Sequence, residues 1–136
     1  MREAERRMLG ELRRALLQLH KTLLDWERAA YEKIHGRTSS GELLRVIVSD
    51  PQFAWLRPVS ELIVRIDASL EAEESDQVID VDAIVTQART LVAPDESGTP
   101  YAQRYHTALQ EYPDAVLAHR AVTNVLREVK TKETLH

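Results

Sequence analysis

Leu9, Leu12, Leu16, Leu19, Leu23, Trp26, Ala30 and Ile34 follow one another at steps of three and four residues, with charged positions between them. That repeat marks one face of an α-helix, so the spacing predicts a single long helix ending near Ile34. Leu17, Leu24 and Tyr31 recur beside the stripe and widen it, so the helix should touch two neighbours. Gly36, directly after His35, predicts the helix end, with glycine in the left-handed cap position.

Ser39 opens a capping box with Glu42, predicting a second helix that carries Leu43, Leu44, Val46, Ile47 and Val48. It should stop at Asp50 and Pro51, because proline has no N–H to donate and Asp50 can cap a fresh start. Phe53, Trp55 and Leu56 make a short apolar turn before Pro58, after which Val59, Leu62, Ile63, Ile66 and Leu70 resume the helical period. Glu71 to Asp76 carries charge without period and reads as a loop. Val81, Ile84, Val85, Ala88, Leu91 and Val92 predict another helix, capped by Asp80. Pro94 to Pro100 is the longest loop signal. Beyond it Tyr101, Tyr105, Leu109 and Tyr112 mark a helix, which breaks or kinks at Pro113 before Ala118, Val122, Val125 and Val129 lead to a polar tail over residues 131–136.

These segments predict an all-α fold, an irregular four-helix bundle broken or kinked at Pro51/Pro58 and Pro113, forming one domain over residues 1–136. The expected core is Leu16, Leu19, Leu23, Trp26, Leu56, Ile63, Ile66, Ile84, Leu91, Val122 and Val125. Composition agrees. With 43% hydrophobic residues, a chain of this length buries enough apolar surface to fold without disulfides or a structural metal. Four glycines and one phenylalanine argue against a β-sandwich or a dinucleotide-binding sheet, whose turns consume glycine. The absence of cysteine removes thiolate metal cages and thiol nucleophiles.

The net charge of -4 is unevenly spread. Met1 to Arg37 holds nine basic and six acidic residues, whereas Glu61 to Glu96 holds ten acidic and two basic. Without a clustered basic run, no nucleic-acid partner is expected. Glu11, Arg13, Arg14 and Lys21 interrupt every early apolar run, so no signal-peptide core and no membrane span are expected, and the cytoplasm is the expected location.

The segment Gln52-Phe53-Ala54-Trp55-Leu56-Arg57-Pro58, with Ala30-Tyr31-Glu32-Lys33-Ile34-His35-Gly36 upstream, resembles small all-helical conserved hypothetical proteins of bacteria. The resemblance covers about half of the chain. It implies a small bacterial helical domain and brings no activity, substrate or cofactor with it.

Glu32 and His35 form one Glu-x-x-His pair, the spacing that di-iron bundles use because such side chains meet on one helix face. No second pair follows, and a histidine at a helix carboxyl end is equally explained by the helix dipole. His20, Leu24, Glu27, Tyr31 and His35 recur at steps of three or four, placing polar groups along the edge of the apolar stripe. A carboxylate there is too costly to leave unpaired, so Glu27 is expected to be buried against Arg57, with Arg65 next in line and His119 as a further partner. Two readings follow. Either His20, Trp26, Glu27, Tyr31, Trp55, Arg57, Arg65 and His119 outline a small-ligand pocket, or Glu27 and an arginine form an ordinary interhelical pair with both tryptophans in the core. No nucleophile elbow or phosphate loop is present, and no catalytic residue or cofactor is expected.

The first helix should be roughly 50 Å long at about 1.5 Å per residue, more than the Val81 to Val92 helix can cover. The functional expectation is therefore a non-enzymatic interaction or regulatory module that self-associates through its N-terminal helix, near Leu9 and Leu12, or that contacts a protein partner. The alternative is a small-molecule- or metal-binding bundle built on Glu27 and Arg57.

Overall fold

The computed structural model describes residues 1–72 and 80–134, and every regular element among them is an α-helix. Helix α1 (Glu3–His35) follows the predicted stripe. Glu5 closes its first turn, its carboxylate accepting from the Arg2 backbone N–H at 3.0 Å and from Arg2 Nε at 3.3 Å. Gly36 ends it at φ 83°, on the side of the map that favours glycine, but with ψ 175°. The chain thus leaves extended, not in the left-handed cap expected.

Helix α2 (Ser40–Ser49) is capped by Ser39 Oγ, which accepts from the Glu42 amide at 3.2 Å. Asp50 ends α2 and caps the four-residue α3 (Pro51–Ala54), accepting from the Gln52 amide at 2.8 Å. Pro58 lies in the first turn of α4 (Arg57–Glu71), and Pro113 opens α7 (Pro113–Thr134) after α6 (Pro100–Glu111) has ended at Tyr112. Both prolines start helices and kink none, because their missing N–H falls where a helix has no internal acceptor for it. Asp80 caps α5 (Val81–Leu91) as its position foretold, and Thr99 caps α6. The four expected principal helices are thus seven segments among the described residues. The expected loop from Glu71 loses its first residue to α4, and residues 73–79 lie outside the description. At the other end α7 runs to Thr134, past the start of the expected tail.

Helix α1 packs along α7 and α4, with α5 against α4 and α7, and α6 against α7. Its two-sided stripe therefore meets two long neighbours within one chain. Leu9, Leu12, Leu16, Leu19 and Leu23 are all fully buried, each contributing about 1.5–3 kcal/mol of transfer free energy. Leu9 and Leu12 are consequently closed to a second copy and cannot be the contact residues expected on the N-terminal helix. Arg6 donates to the Leu70 carbonyl at 2.7 Å and Arg13 pairs with Asp67, which sets α1 and α4 antiparallel. The stripe outruns the body at its far end, where Ile34 is 77% exposed. Trp26 and Val125, both expected in the core, are half-buried at its edge.

Helix α2 differs from the rest. It is apolar at Leu43, Leu44, Val46, Ile47 and Val48 yet buries none of its residues, and it rests chiefly on α3.

Candidate functional site

The structure gathers six of the eight predicted pocket residues in two places. The first is a ladder of rings that crosses the bundle. Trp26 of α1 meets Trp55 edge-on at 6.4 Å, Trp55 meets Tyr101 of α6 at 5.5 Å, and Tyr101 stacks on Tyr105 at 6.0 Å. Tyr105 ends the ladder against His119 of α7, its hydroxyl 2.6 Å from the imidazole Nδ1. Burial raises the phenol pKa of both tyrosines far above the ordinary value and lowers that of the His119 imidazole. This part of the ladder is therefore a neutral hydrogen-bonded network at ordinary pH, with Tyr101 donating to the Leu91 carbonyl at 2.8 Å.

Glu27 lies at the α1 end of the ladder and is fully buried, as its place on the stripe predicts. Its partner is neither Arg57 nor Arg65 but Arg104 of α6, whose guanidinium donates to Glu27 Oε1 and lies 4.3 Å from the centre of the Trp26 ring. The site is tied together once more by Gln52 Nε2, which donates to the Glu27 carbonyl at 3.2 Å. Two buried atoms, Glu27 Oε2 and Trp55 Nε1, have no hydrogen-bond partner among the described residues. Sequence reasoning put the partner at Arg57, Arg65 or His119 and missed Arg104, because periodicity does not state which helices meet. The signal existed: Arg104 is the sole arginine of α6 and lies one turn after Tyr101.

The second place is a groove of about 240 Å³ between α1, α2 and α4. Leu24, Ile47, Val48, Phe53 and Leu56 make its apolar wall, and His20, Arg57 and Ser60 its polar side. Burial without an acidic neighbour lowers the His20 pKa, so the imidazole contributes as a neutral group. Arg57 is exposed, and among the described residues no carboxylate lies within ion-pair distance of it.

The remaining candidates are elsewhere. Tyr31 stacks on His35 at 4.2 Å and touches Phe53 at 5.9 Å. Arg65 donates to Gln87 at 2.9 Å across the α4–α5 contact. Glu32, the weak metal candidate, uses one carboxylate oxygen to accept from the Thr38 amide at 2.6 Å and its hydroxyl at 2.9 Å, and those bonds hold its pKa below the ordinary value. That carboxylate thus closes the turn after α1. Among the described residues no three His, Asp or Glu side chains gather as a metal site, and no helix is long and apolar enough to cross a membrane.

The predicted pocket of eight residues is therefore not one site. His20 and Arg57 share the groove, Trp26, Glu27, Trp55 and His119 belong to the ladder, and Tyr31 and Arg65 stand apart. Compared with protein-family models, curated proteins and solved structures, the chain matches none.

Proposed function

We propose that this protein is a non-enzymatic interaction module that self-associates, with α2 and the groove behind it as a contact surface. The observation that carries the reading is the state of α2. A helix with five large apolar residues in ten leaves Leu44 at 66% and Val48 at 70% exposed and buries nothing. Isolated helices of this length are marginal in water, and tertiary packing of an apolar face is what normally holds them. Val48 and Ile47 also line the groove, so the uncovered side of α2 and the groove form one continuous apolar surface. The supporting chemistry is that of docking: Ser60 in the groove donates its hydroxyl to the Arg57 carbonyl at 3.0 Å, and Tyr105, bonded to His119, is fully buried in the ladder.

Sedimentation velocity over a hundredfold range of concentration tests the reading. A mass that rises with concentration, and that falls to the monomer when Leu44 is replaced by glutamate, is the expected result. The groove also supports a second reading, occupancy by a small amphipathic anion, since an apolar wall faces an unpaired arginine. Native mass spectrometry of protein purified without chelator separates the two, because a stoichiometric small guest belongs only to the second.

A further inference from the structure

The exposed large apolar side chains among the described residues are not scattered. Val48 lines the groove and Leu44 precedes it by one turn on α2, while Leu17 and Val64 lie one turn from the groove residues His20 and Ser60 along α1 and α4. Val116 and Leu117 form the other cluster, on the first turns of α7, with Ile34 left alone at the end of α1. Each cluster carries one basic and one acidic side chain, four residues apart on α4 and six apart on α7. Arg57 lines the groove and Glu61 follows it one turn later on α4, both exposed. On α7, Asp114 precedes Leu117 by one turn and Arg120 follows it by one turn, and both are exposed. None of these four charges has an ion-pair partner among the described residues.

We infer that the occupant of the groove is the beginning of α7 from a second copy of this chain, with Leu117 entering the apolar wall, Asp114 meeting Arg57, and Arg120 meeting Glu61. This inference rests on the self-association proposed above and names the surface that completes it. A helix laid into a groove is read through anchors about one turn apart, and Asp114, Leu117 and Arg120 have that spacing. The contact joins two different patches, so it is head-to-tail: it closes into a ring if the rotation allows and otherwise extends.

The test is a charge exchange read by sedimentation equilibrium at low salt, on the full chain. R57E sets a carboxylate against Asp114, and D114R sets a guanidinium against Arg57, so each single variant should weaken association by about tenfold or more. R57E/D114R restores opposite charges and should recover most of the wild-type affinity. Both positions are exposed, and circular dichroism with thermal unfolding checks that every variant is folded. If wild-type protein associates but either single variant associates equally well, the pairing is overturned while self-association stands. If both singles weaken and the double variant does not recover, the two patches do not face each other and the pairing is likewise overturned. Wild-type protein that stays monomeric at every concentration overturns self-association itself.

Discussion

Arg104 of α6 reaches Glu27 of α1 across 77 positions of sequence, and its guanidinium covers the Trp26 ring on the way. The pair is lopsided: the Glu27 side chain is 1% exposed and that of Arg104 38%. Removing either partner therefore has unequal consequences. Arg104→Ala leaves a carboxylate buried without its donor and strips the cation from Trp26, which should cost about 3–5 kcal/mol. Glu27→Gln leaves an arginine that turns toward water, and should cost about 1–3 kcal/mol. Urea unfolding of both variants checks the order, and equal costs would contradict the lopsided burial.

The burial of Glu27 was legible because it sits on the inward side of a stripe whose period is unambiguous. Its partner was not, because periodicity states that a face is covered without stating which helix covers it. The same gap explains Leu9 and Leu12. Their burial could be read, but the cover comes from α7 and α4, and a helix judged too long for its neighbours met two long ones. Trp26 reads as core by position and is half-buried by circumstance, since Arg104 is what lies over it. Pro51 was legible as a break because a missing N–H acts locally, whereas Pro58 and Pro113 were legible only as a break or a kink. His20 and Arg57 were named as pocket residues and do share a groove, yet the α2 residues that complete it had read only as an ordinary apolar helix face.

Leu9 is fully enclosed within the chain, so its loss should register in folding and leave self-association unaffected. Leu9→Ala should cost about 2–5 kcal/mol through lost transfer energy and the cavity left behind. Chemical denaturation gives the cost. A change below about 0.5 kcal/mol would mean the site is not enclosed.

Tyr105 is fully buried with its hydroxyl on His119. Tyr105→Phe keeps the ring in the ladder and deletes that bond, so thermal unfolding should report a loss of about 1 kcal/mol, with the imidazole nitrogen retaining some access to water. No loss would show that the bond is not formed in solution.

Stability should fall as the pH drops below about 6.5, the ordinary histidine value. His20 and His119 are both lowered by burial, so the unfolded chain takes up protons before the folded one does, and each proton bound only by the unfolded state favours unfolding. The lowered carboxylates act in a separate window. Glu32 gains from the Thr38 amide and Asp95 from the Ser97 amide, and their contributions disappear only as the pH falls through carboxylate pKa values below 4.5 and 3.8. Scanning calorimetry between pH 7.5 and 5 should therefore show a histidine-driven decline, flattened in His20→Leu. A decline of the same size in that variant would remove His20 from the account.

Exposure of α2 for association makes Val48→Glu the decisive substitution, because the residue is 70% exposed and lines the groove. Sedimentation velocity of wild-type and variant protein over the same concentrations is the measurement, with melting temperatures taken at the lowest concentration. Wild-type mass should rise with concentration while the variant remains monomeric, and the two should melt alike. A wild-type protein that stays monomeric throughout, or a variant that associates as the wild type does, would contradict the account.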